Sequence, residues 1–188
     1  ADAAAFIIGI SELDQAAREK GRFVLSGASS VPALSSAVVR HLATNMDKVI
    51  SVRGGIAPSP HVDIGLSVVQ AIASYAGKPM PRRVDGKLAY GDAMIESRAM
   101  TINVPGVVPM KPNRFSLIDA ADHELMAAEW PEAESIWWGA GPRPAILHRA
   151  LWAAAHLVKW RLLPSLSFLA PIMEKVINRA NWGEHRGG

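Results

Sequence analysis

Cysteine does not occur in these 188 residues, which excludes a disulfide scaffold, thiolate zinc sites and a cysteine nucleophile, and is in keeping with a reducing compartment. No run reaches the roughly 18 uninterrupted apolar residues that a membrane-spanning helix requires. The opening ADAAA also lacks the basic flank of a signal peptide. A cytoplasmic location is the expectation. Three catalytic or cofactor signatures are missing as well: there is no G-x-G-x-x-G dinucleotide fingerprint and no P-loop lysine. The Gly27-Ala28-Ser29-Ser30-Val31 turn is not a hydrolase elbow, because Val31 stands where G-x-S-x-G needs its second glycine.

What is present suits a folded domain. A hydrophobic content of 49% against 20% charged residues is enough to bury a substantial core. The net charge of +3 is small but unevenly placed, since residues 143–188 hold seven Lys/Arg against two acids. That tail suits either a solvated basic helix face or an anionic partner.

Along the chain, Ser11 and Asp14 stand at capping-box spacing in a first helix that Gly21 ends. The compact apolar run Phe23-Val24-Leu25 reads as a short buried strand between glycines 21 and 27. Pro32 suits the first turn of a helix over 33–45. A strand is expected over 49–53, running into Gly54-Gly55, and then a helix over 63–75 stopped by Gly77. Prolines 79, 81, 105, 109 and 112 break up the next stretch, and Asp85-Gly86 marks a hairpin. Asp119 is expected to cap a short helix through Met126, a strand follows over 134–138, and apolar residues recur at helical spacing over 146–162 and 166–177.

Few constellations carry chemistry. The Gly27 to Pro32 turn can present backbone N–H groups to an anion, as any strand-to-helix turn can. Asp119, Asp122, His123 and Glu124 gather possible ligands, but acids in a first helical turn are ordinarily capping groups; no metal is expected. Tyr75 and Lys78 are separated by the helix stop Gly77 and would not form a one-turn-apart proton-transfer pair. His148 and His156 read as core or interface histidines. Arg53, Arg114 and Arg143 each flank a strand end or a Gly/Pro loop, where a guanidinium can hold a substrate carboxylate in two hydrogen bonds; ordinary surface arginines also lie there. Trp137, Trp138, Trp152 and Trp160, with Leu162, Leu163, Leu166, Phe168 and Leu169, offer more large apolar surface than a thin outer helix layer uses. A homodimer interface, a further domain or a membrane surface would use it.

Residues 24–39 (VLSGASSVPALSSAVV) resemble the segment at which saccharopine dehydrogenase-like oxidoreductases leave their nucleotide-binding domain. Ser116-Leu117-Ile118-Asp119-Ala120-Ala121-Asp122-His123-Glu124-Leu125, Trp130-Pro131, residues 134–139, Leu162-Leu163-Pro164-Ser165-Leu166 and Arg186-Gly187-Gly188 follow in the order of the bacterial branch of that family. The resemblance implies an N-terminal Rossmann half that binds NAD or NADP and a later half that supplies substrate and dimer contacts. That Rossmann half is not in this sequence, and Ala1-Asp2-Ala3 reads as an entry in the middle of a domain. By carry-over, Gly27, Ser29, Ser30 and Pro32 lie near the nicotinamide edge. No catalytic acid or base is assigned, and this chain alone is expected to bind no cofactor tightly and to be inactive.

The expected architecture is α/β (α+β): the remnant of a Rossmann-type sheet edge, then a mixed β-sheet with helices, then a C-terminal helical pair. Expected regions are 1–45, the end of a dinucleotide-binding domain; 46–142, a mixed-sheet substrate and dimerisation region; and 143–188, the C-terminal helices. The expected partners are a second copy and an undetermined small substrate, with no nucleic acid. The rival reading is a non-catalytic module that holds a protein or a membrane through the basic, apolar C-terminal helices.

Overall fold

A computed structural model describes residues 3–180, 182, 183 and 185–187. Ala1 and Asp2 of the expected mid-domain entry, and Gly188 of the closing patch, lie outside them. The chain is a mixed α/β protein with an open sheet of six strands. Its elements are α1 (Ala3–Gly9), α2 (Asp14–Glu19), α3 (Ser35–Ala43), β1 (Ser51–Ile56), α4 (Leu66–Tyr75), β2 (Pro79–Val84), β3 (Lys87–Asp92), β4 (Ser97–Met100), β5 (Asn113–Leu117), α5 (Asp122–Glu129), β6 (Ser135–Ala140), α6 (Ala145–Lys159) and α7 (Ala170–Arg179). The strand order is β3-β2-β6-β5-β4, and β1 also pairs with β6. Among the described residues no helix is long and apolar enough to cross a membrane.

The chain divides into two units. The first comprises Ala1–Gly54, Arg82–Ala89 and Asp119–Trp138. Here β2 and β6 are antiparallel with Arg83 opposite Ile136, and the Asp85-Gly86 hairpin forms as expected, with both residues at positive φ (49° and 72°). Ile136, Trp137, Met126, Ala121 and Val52 are buried in this unit. Gly54 belongs inside β1 rather than at its end, because a Cβ there would collide with the Trp138 ring.

The second unit comprises Gly55–Pro81, Tyr90–Ile118 and Gly139–Gly188. Here β4, β5 and the end of β6 pair antiparallel, with Arg98 opposite Phe115 and Ser116 opposite Ala140. Phe115, Leu117, Met94, Val69 and Leu166 are buried in it. Gly77 ends α4 at φ 80°, as expected, and a Cβ there would meet the Ala155 carbonyl.

Three local expectations fail. Residues 23–25 form no strand: the segment has no regular secondary structure, with Phe23 87%, Val24 52% and Leu25 73% exposed. Apolarity alone predicted a strand, but a strand also needs a neighbour to take its hydrogen bonds. Asp119 does not cap the next helix, which begins at Asp122 after Ala121 and has no side-chain cap. The capping-box bond from Ser11 is likewise absent, and Asp14 pairs instead with Arg18 at 2.8 Å.

Candidate functional site

The turn from Gly27 to Pro32 gathers the four residues expected near a nicotinamide, all within the first unit. Gly27 takes φ 73°, where a Cβ would press on Pro32 Cγ at 3.2 Å and Ile7 Cγ2 at 3.3 Å. The Ser29 amide donates to the Gly27 carbonyl at 2.8 Å, and the Ser29 hydroxyl donates to the Val31 carbonyl at 2.6 Å. Val31-Pro32 is cis, Pro32 is buried, and Ser30 is exposed. The Leu34 amide closes the turn onto the Ser29 carbonyl at 3.2 Å and leads into α3. The backbone is therefore fixed from both sides while Ser29 and Ser30 face solvent.

Behind this turn lies a pair that the sequence did not announce. Ser35, the first residue of α3, places its Oγ 2.9 Å from the Pro32 carbonyl oxygen and 2.5 Å from Asp122 Oδ1. The Ser35 hydroxyl has one hydrogen to share between these two acceptors, and its bond to Asp122 favours the carboxylate form. Asp122 has no exposed surface, and its Oδ2 has no hydrogen-bond partner among the described residues. Burial pushes its carboxyl above the ordinary aspartate range, and the Ser35 hydrogen bond opposes that only in part. A neutral carboxyl costs less to bury than a carboxylate with one bare oxygen. At the outer ends of α3 and α5, Arg40 makes a two-pronged contact with Glu129, at 3.1 and 2.7 Å.

The second unit contains a different polar pair. Ser116 Oγ and His148 Nε2 are 2.8 Å apart, both buried, joining β5 to α6. Burial first, and the Arg114 charge second, lower the His148 pKa to about 4, so the imidazole is neutral at neutral pH. A serine beside a neutral histidine is the chemistry of nucleophile activation, but Ser116 is 0% exposed and no substrate reaches it. The pair is a core hydrogen bond.

The three arginines fall in different units, Arg53 in the first and Arg114 and Arg143 in the second. Arg53 is exposed on β1 in the first unit. In the second, Arg114 Nη1 donates to Ser97 Oγ at 2.8 Å, and Arg143 Nη2 donates to the Lys111 carbonyl at 2.9 Å. The second unit also has an open depression of about 450 Å³, in which Lys78, Lys159 and Arg161 stand with Asp92; Lys159 Nζ is 2.7 Å from Asp92 Oδ2. The sequence offered no sign of it because Lys78 and the Lys159 and Arg161 pair come from two segments far apart in the chain. Among the described residues no group of three or more His, Asp or Glu is placed to hold a metal ion.

No model of a known protein family matches this chain, and no curated protein matches it significantly.

Proposed function

We propose that this chain is the substrate and dimerisation region of a saccharopine dehydrogenase-like, NAD(P)-dependent oxidoreductase. The observation that carries the reading is the exposed apolar run Phe23-Val24-Leu25 lying just before the hydrogen-bonded Gly27 to Pro32 turn. Three consecutive apolar residues in that setting suit a strand of a nucleotide-binding sheet whose neighbouring strands come from sequence outside these residues.

On this reading Gly27, Ser29, Ser30 and Pro32 border the nicotinamide of NAD or NADP, and Ser35 and Asp122 hold the turn from behind. The cofactor supplies the hydride chemistry when bound. Residues of this chain orient the substrate and exclude water, with Arg53, Arg114 and Arg143 as candidates for a substrate carboxylate. Working alone it binds no nucleotide tightly, because the pyrophosphate-binding glycine turn is not in this sequence. The working form is a cytoplasmic homodimer. Titration of the native-locus product with NADPH, followed by nicotinamide fluorescence, tests the reading: saturable binding supports it, and a folded product that binds neither NADPH nor NADH removes it.

A second reading, a non-catalytic interaction module, is favoured by the exposed Trp160, Leu162, Phe168, Ile172 and Val176 on and around α6 and α7.

A further inference from the structure

The outward side of α7 combines two kinds of residue. Phe168, in the short turn that opens the helix, is followed by Ile172, Lys175, Val176 and Arg179 at spacings of three and four, which place side chains on one helix face. All five are exposed, with Phe168 at 63% and Ile172 at 61%. The other side of the helix, with Met173, Glu174, Ile177 and Asn178, is half-buried. Asn178 Nδ2 donates to Glu174 Oε1 at 2.8 Å and to the Ile64 carbonyl at 3.1 Å, which draws the acid to the inner side. Of the two acids in residues 143–188, the other, Glu184, lies outside the described residues. The outward stripe is therefore apolar and cationic together.

That combination selects its partner by charge. Phe168, Ile172 and Val176 gain by leaving water, and Lys175 and Arg179 fix the sign of what covers them. A second copy docked through a two-fold axis would set the same cations against each other, whereas an anionic surface neutralises them. The long stems of Lys175 and Arg179 let their heads remain in a polar layer while their apolar neighbours sink below it. A short amphipathic helix with an aromatic residue at one end and bases among its apolar side chains has the composition of an interfacial helix. We propose that α7 is a docking face for an anionic lipid surface, lying in the headgroup layer with Phe168, Ile172 and Val176 inserted and Lys175 and Arg179 on the anionic headgroups. This assignment stands independently of the oxidoreductase reading.

Flotation of the full chain with vesicles of phosphatidylcholine alone, and of phosphatidylcholine mixed with phosphatidylglycerol, tests it. The chain should float with the anionic vesicles, remain behind with the neutral ones, and be released by added salt. Lys175→Glu with Arg179→Glu, and separately Ile172→Ser with Val176→Ser, should each lower the bound fraction about tenfold or more. These side chains are exposed, so the melting curves by circular dichroism should not move. Equal flotation with both vesicle types, no flotation with either, or binding indifferent to salt overturns the proposal. If the chain sediments as a dimer that Ile172→Ser with Val176→Ser dissociates, and no vesicle binds, the face belongs to a second copy.

Discussion

Ser35 Oγ lies 2.5 Å from Asp122 Oδ1, joining the first residue of α3 to the first residue of α5 across 87 positions of sequence. The same hydroxyl lies 2.9 Å from the Pro32 carbonyl, so one side chain links the turn to both helices. This contact holds the Gly27 to Pro32 turn from behind.

The raised pKa of Asp122 gives a stability signature. The folded state holds the proton to higher pH than the unfolded chain, so between the two pKa values the folded state binds more protons and its stability falls as pH rises. Replacing Asp122 with Asn, which keeps an acceptor oxygen without a charge, should remove this fall and raise the melting temperature at neutral pH relative to wild type. Thermal melts from pH 4 to 8 check it; a variant less stable than wild type at neutral pH would show that the carboxylate is the favoured form.

His148 has the opposite sign. Its folded pKa of about 4 is below the ordinary 6.5, so the unfolded chain binds the extra proton in that window. Stability from the neutral ring is complete above pH 6.5 and is lost progressively toward pH 4, by up to about 3 kcal/mol. His148→Gln should lower stability at neutral pH and flatten the acid limb of a denaturant-midpoint against pH curve. An acid limb of unchanged steepness would mean that other groups set it.

Gly54 tolerates no side chain, since the Trp138 ring occupies the place of its Cβ. Gly54→Ala should cost about 1–3 kcal/mol through displacement of that ring, read as a lower urea midpoint with an unchanged slope. A neutral effect would show that Trp138 moves aside freely.

Phe23 separates surface from interface. At 87% exposure it contributes little to the fold of this chain, so Phe23→Asp should leave the stability of the 188-residue chain within about 0.5 kcal/mol. In a longer native product, the same change should abolish nucleotide binding, because a carboxylate would then be buried among sheet neighbours. Loss of stability in the isolated chain would place Phe23 in its own core.

Local grammar was readable in the sequence: the glycine stops at 21 and 77, the Asp85-Gly86 hairpin, and α6 with its apolar repeat all formed where breaker chemistry and periodicity predicted them. Two kinds of feature were not. The exposure of residues 23–25 depends on which strands lie beside them, and no local pattern encodes a neighbour. The Ser35–Asp122 pair joins residues far apart in the chain, so Asp122 looked like one more acid in a first helical turn.

Titration of the native-locus product with NADPH, beside its intact mass, tests the central claim most directly. The account predicts a product longer than 188 residues that binds the nucleotide saturably and loses binding with Phe23→Asp. A folded native product of 188 residues that leaves nicotinamide fluorescence unchanged would contradict it.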